Sequence, residues 1–144
     1  MQKNIITTTA LLFAGALLFT GCATSTTDSA SGDDNCEVVR VAVRDISNGA
    51  QNAIVSSADQ ATLTERLDDY SQRLDELAAD NADDAELTEA IEGLQDKVVA
   101  AQDYAATLPA EADEEFVPDA DAQATASGDI QTAAVTVTEV CKSE

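Results

Sequence analysis

The sequence predicts an all-α fold, a small antiparallel up-down-up-down four-helix bundle closed by one disulfide. Three observations predict it. Apolar residues recur in four separate segments at alternating steps of three and four, the spacing that gathers side chains on one face of a helix. The links joining the first three segments are short, which makes neighbouring helices antiparallel. Cys36 and Cys141 stand at the two extremes of this region, and an even number of helices brings those extremes to the same end. Three helices would leave them about 30 Å apart, beyond the reach of a disulfide.

The first stripe is Val39, Val43, Ile46, Ala50 and Ala53, predicting a helix over 36–56. The second is Leu63, Leu67, Tyr70, Leu74 and Leu77, over 60–80, with Thr62 and Glu65 at the spacing of a capping box. The third starts at the signal formed by Asp83 and Glu86 and runs through Leu87, Ile91, Leu94, Val98, Ala101, Ala105 and Leu108, until Pro109 removes the next backbone donor. Residues 109–119, PAEADEEFVPD, hold two prolines and read as a loop. Ile130, Ala134, Val137 and Cys141 form the fourth stripe, over 120–142. Its VTVTEV run alternates well enough for a strand, but no other segment offers a pairing partner and a lone strand is not stable. A helix is therefore the reading for the fourth segment too.

Ahead of this region the chain changes character. Residues 1–21 place Lys3 and the amino terminus first, then an uncharged stretch from Ile5 to Phe19, then small residues, the three-part layout of a secretory signal peptide. The densest apolar part, Ala10 to Phe19, is about half of what a helix needs to cross a bilayer. That length targets a chain for export without anchoring it. Cys22 follows Thr20 and Gly21, with Phe19 where leucine is usual and Leu18 one step further out.

This stretch resembles the lipobox of bacterial lipoproteins, and the resemblance covers only about the first 22 residues. It implies cleavage between Gly21 and Cys22, a diacylglyceryl thioether on Cys22, and acylation of the new amino terminus. Each buried methylene contributes about 0.8 kcal/mol, and two acyl chains hold a protein on a membrane where one does not. The localisation implied is the cell membrane, lipid-anchored, on the extracytoplasmic side. The domain organisation is then a signal peptide over 1–21, a lipidated cysteine and flexible linker over 22–35, and a helical bundle over 36–144. The linker segment ATSTTDSASGDDN has no large apolar side chain with which to offset the cost of ordering.

An exported chain matures in oxidising surroundings, so the two cysteines left after Cys22 are expected to pair, Cys36 with Cys141. The composition shows why a cross-link would matter. Beyond residue 21 the aromatics are Tyr70, Tyr104 and Phe116, and there is no Trp anywhere, so the core is thin.

Charge and residue usage exclude several functions. Without residues 1–21 the chain carries 28 acids against six bases, a formal charge of −22. Nucleic acid and anionic lipid surfaces are both bound through Lys and Arg, so neither is expected as a partner. The chain has no histidine, which removes the commonest general base and most zinc, copper and iron sites. No catalytic residue, metal site or cofactor is expected. Acids such as Asp68, Asp69, Asp75 and Glu76 fall between stripe positions and read as a solvated helix face.

A calcium loop fails where it is most diagnostic: Asp119, Asp121 and Gln123 sit at positions one, three and five, but Ala124 replaces the glycine and Ile130 the glutamate. The loop acids Asp113, Glu114 and Glu115 leave room only for weak, nonspecific divalent binding. Arg40 and Arg44, one turn apart, are expected to be neutralised by Asp75, Glu76 and Glu139 rather than to grip an anionic partner. Alanines at 50, 53, 101, 105 and 134 read as close helix approach, or else as a slim apolar cavity.

The functional expectation is a non-catalytic, lipid-anchored envelope lipoprotein acting through an envelope protein partner or as a structural component. The alternative is a binding protein for a lipid or other apolar ligand held between the helices.

Overall fold

A computed structural model describes residues 32–143, and these fold into four α-helices with no strand among them. Helix α1 spans Gly32–Ser56, α2 Gln60–Asp80, α3 Ala85–Ala105 and α4 Ala120–Ser143. The expected signal peptide over 1–21, Cys22 and most of the expected linker lie outside the described residues. Packing runs around a ring, α1 on α2, α2 on α3, α3 on α4 and α4 back on α1, with little contact across the α1–α3 diagonal. Every neighbouring pair is antiparallel. One end of the bundle, called proximal here, holds the start of α1, the α2–α3 turn and the end of α4. The distal end holds the α1–α2 link and the 106–119 connection.

The four stripes are the core. Val39, Val43, Ile46, Ala50 and Ala53 of α1, Leu63, Leu67 and Leu74 of α2, Leu87, Ile91, Leu94, Val98, Ala101 and Ala105 of α3, and Ile130, Ala134, Val137 and Cys141 of α4 are all buried in one continuous cluster. Ile54 and Tyr104 join it from outside the predicted stripes. Two expected stripe members do not fully enter. Tyr70 and Leu77 are half-buried and pack against the cluster's edge, because they stand on the flank of α2 that faces α1.

Tyr70 lies in a notch made by Gly49. An ideal Cβ at Gly49 would stand 2.6 Å from Tyr70 Cζ and 2.7 Å from Cε1, so the missing side chain is what lets the ring approach α1. The Arg73 guanidinium covers the same ring at 5.6 Å from its centroid. Gly93 and Gly128 differ, for a Cβ at either would meet nothing within 4 Å. Ala is favoured over Gly in a helix interior by about 0.5–1 kcal/mol. Gly93→Ala and Gly128→Ala are therefore each expected to stabilise the fold by about that amount, while Gly49→Ala gives no gain. Urea unfolding of the three variants checks the contrast.

Helix starts are set by carboxylates one or more residues away from where the spacing placed them. Asp59, not Thr62, caps α2: its Oδ1 accepts from Thr62 N at 2.8 Å and its Oδ2 from Thr62 Oγ1 at 2.9 Å. Asp84, not Asp83, caps α3 by accepting from Leu87 N at 3.0 Å. Asp119 does the same for α4, accepting from Asp121 N and Ala122 N, both at 3.0 Å. In each case the extended or looped residue directly before the first helical turn has the geometry to reach the unpaired N–H groups.

The bonds from Thr62 to Asp59, that from its backbone N–H above all, hold the Asp59 carboxyl below its ordinary value of 3.8. The folded state thus has the lower pKa. The cap is complete above the unfolded value and is lost as pH falls through the folded one, so α2 frays at its start only below about pH 4. The Thr62 amide resonance, followed through an acid titration, reports that loss.

Helix α1 begins four residues before the predicted boundary at 36. Its first turn has a partner to hold it: Asn35 Nδ2 donates to Asn81 Oδ1 at 2.9 Å. Asn81, buried at the end of α2, also donates through Nδ2 to the Leu77 carbonyl at 2.7 Å and accepts at its own carbonyl from Thr88 Oγ1 at 2.9 Å. One side chain therefore links α1 to α2, and its backbone carbonyl links the turn to α3. Helix α3 ends at Ala105 rather than 108, and Leu108 is buried from a turn in which its N–H donates to the Ala105 carbonyl at 3.1 Å. The α2–α3 seam carries amide bridges: Gln95 Nε2 donates to Asp75 Oδ1 and Gln102 Nε2 to Asp68 Oδ1, each at 2.6 Å.

Candidate functional site

The residues with distinctive chemistry meet at the proximal end. Cys36 sits one turn into α1 and Cys141 in the last turn of α4, both on the buried faces of their helices. They approach each other to 2.5 Å. The topology that the stripes imply is what places them there, because α1 and α4 are antiparallel neighbours and each cysteine occupies a stripe position of its own helix. Cys22, the expected lipidation site, lies outside the described residues, and the chain joins it to the bundle at this same end.

Arg40 and Arg44 follow Cys36 on α1, but their expected partners do not serve them. Arg40 Nη1 pairs with Glu37 Oε2 at 3.1 Å and Arg44 Nε lies 3.7 Å from Asp45 Oδ1, with all four side chains well exposed. Asp75 instead accepts from Gln95 across the α2–α3 seam. Partners on the same helix are available without any tertiary alignment, and exposed pairs of this kind contribute little to stability.

The incomplete calcium-like loop has another role. Asp119 is the α4 cap, and Gln123 Nε2 donates to the Ile54 carbonyl at 3.2 Å and lies 3.1 Å from the Tyr104 hydroxyl, closing the distal end across three helices. In the 109–119 loop Asp113 Oδ1 accepts from Glu115 N at 2.9 Å, a local turn contact. Among the described residues no group of three or more His, Cys, Asp or Glu is placed to hold a metal ion. No described helix is long and apolar enough to cross a membrane.

Alanines 50, 53, 101, 105 and 134 are buried within the continuous core, where their small size lets the backbones come close. The spaces between helices are grooves on the outer surface. One follows the α3–α4 seam, about 530 Å³, floored by Ala90, Gly93 and Ala133 and crossed by the Lys97–Asp129 pair at 3.8 Å. Another, about 310 Å³, follows the α1–α4 seam between Ser47 and Gln51 on one side and Gln131 and Val135 on the other. The α3–α4 groove is open, flanked by Glu86 and Glu89 and lined also by Val140.

Sequence spacing found the cysteines and missed Asn81 and Gln123 as structural links. An asparagine directly after an apolar helix is a C-cap signal, and it was legible at position 81. Nothing local marks Gln123, whose partners lie 69 and 19 residues away. Comparison with protein families, with curated proteins and with solved structures finds no match for this chain.

Proposed function

We propose that this chain is a lipid-anchored, non-catalytic module of the cell envelope, tethered through Cys22 to the extracytoplasmic side of the cell membrane and closed by a Cys36–Cys141 disulfide. The observation that carries the reading is the division of labour among three cysteines. The first ends a short apolar leader behind Gly21, and the other two come together in the fold. A chain kept in a reducing compartment has no use for a buried, adjacent cysteine pair that joins its first and last helices; an exported one does.

The tether supports the same reading. Helix α1 starts at Gly32, so nine residues separate it from Cys22. Nine residues of Ser/Thr/Asp-rich composition would reach about 15–20 Å, which would keep the proximal end near the headgroups. A chain with 28 acids stays soluble beside an anionic surface without adhering to it. The work of such a module is contact with another envelope protein or structural support, and neither requires a reacting group.

The test is Cys22→Ser expressed in cells of the source organism. The substituted chain leaves the membrane fraction, and the unsubstituted chain gains the mass of a diacylglyceryl group on the Cys22 peptide. Membrane partition that survives the substitution would sink the anchor.

A further inference from the structure

We propose that the α1–α4 face is a self-association surface, on which a second copy of this chain docks side by side with its helices parallel to the first copy's. Charge is distributed unevenly around the bundle. Helices α2 and α3 together carry eleven acids and three bases. By contrast the chain has no charged residue from Ile46 to Ala58, and a single one, Asp129, from Ala122 to Thr138. These two stretches are neighbours, since Gln123 reaches the Ile54 carbonyl. Asp129 is turned to the opposite seam, where it meets Lys97. The result is an uncharged belt along one side of a strongly anionic protein.

What the belt exposes is suited to contact. Val55 and Val135 are 66% and 49% exposed. The α1–α4 groove passes Val135 and is edged by the amides Asn48, Gln51 and Gln131. Where charge does return, at the proximal rim, it is balanced: Arg44, Lys142 and Glu139 border the groove, with Asp45 beside Arg44. Two bases and two acids in one small area are self-complementary across a twofold axis, since each base of one copy can meet an acid of the other.

The same distribution selects the occupant. A basic partner would be drawn to α2 and α3, where the acids are, and not to this belt. A second copy has the same sign of charge everywhere else, so this is the one side on which two copies meet without opposing fields. A twofold axis parallel to the helices also leaves both proximal ends pointing the same way, as two copies held on one membrane require. The belt is roughly 20 Å long and two helices wide, a few hundred Å² per copy, well below the about 800 Å² per partner of a standard stable interface. Pairing is therefore weak in dilute solution and effective where copies are concentrated on a surface. The face stands on the charge pattern alone; the anchor of the proposed function supplies only the local concentration.

Asn48→Cys, on the groove edge, in the full chain, treated with a short bismaleimide on intact cells, gives a covalent species of twice the protein's mass. The unsubstituted chain and Asp69→Cys, on α2, remain monomeric. Adding Val135→Glu to Asn48→Cys places like charges across the axis and lowers the cross-linked fraction at least several-fold, and Gln131→Glu does the same; circular dichroism confirms that both stay folded. Equal cross-linking at positions 48 and 69, no product at 48, insensitivity to the added charges, or a product containing a different protein each overturns the proposal. Membrane release of the Cys22→Ser chain is read separately, so failure of the anchor and failure of the face are distinguishable.

Discussion

Reduction of the native protein is expected to lower its melting temperature by roughly 20 °C or more, and replacement of Cys36 and Cys141 by serine to do the same. The loop that the proposed Cys36–Cys141 disulfide would close spans most of the domain, about 105 residues. Removing its closure from the unfolded ensemble costs about 4–5 kcal/mol on the chain-entropy account. A small domain has only about 5–15 kcal/mol in total. This one sits at the low end because its core is aliphatic and partly alanine, with Tyr104 as its sole buried aromatic among the described residues. The location sharpens the effect, since the proposed cross-link would tie the start of α1 to the last turn of α4, the ends that fray first without a link. Melting curves with and without reductant measure it. If a thiol reagent modifies both cysteines in the native, unreduced protein, the disulfide is wrong.

The second large effect is expected from Leu94→Ala. Leu94 is fully buried in the middle of α3, facing the core that all four helices share. Truncation there removes three heavy atoms from a packed interior and leaves a cavity that rigid helices do not close, a loss of about 3 kcal/mol within the usual range of 2–5. Val99, five residues on and 47% exposed, is the matched control: Val99→Ala changes stability by no more than about 0.5 kcal/mol. Leu94→Ala combined with reduction leaves almost no margin, and the doubly perturbed protein is expected to be largely unfolded at 37 °C. Denaturant unfolding of the two variants, oxidised and reduced, separates the contributions. Equal effects at 94 and 99 would mean that the core does not lie where the stripes converge.

The orientation near the membrane and the pairing face rest on different physics from these stability effects. The proposed anchor would draw on burial of acyl chains, whereas the proposed face draws on the absence of like-charge repulsion along one seam. Acid titration of Asp59 touches neither, because its carboxylate closes only the first turn of α2.

The amino-acid sequence by itself determined the number of helices, their approximate extents and nearly all of the core. An amphipathic stripe is a local property, and each of the four segments carries a complete one: Val39 to Ala53, Leu63 to Leu74, Leu87 to Ala105, and Ile130 to Cys141. The shared end of Cys36 and Cys141 followed from counting helices. Only the tertiary structure decided which carboxylates cap, because Asp83 and Asp84 are equivalent in composition and differ only in backbone position at the turn. It alone placed Tyr70 in the notch of Gly49, joined Asn35 to Asn81 across 46 residues, and assigned Gln123 to the distal closure rather than to an ion. It also paired Arg40 and Arg44 with neighbours on their own helix. The uncharged belt belongs to both levels. Its two stretches are visible in the sequence, but they become one surface only because antiparallel packing sets α1 against α4, and no local spacing encodes which outer faces lie side by side.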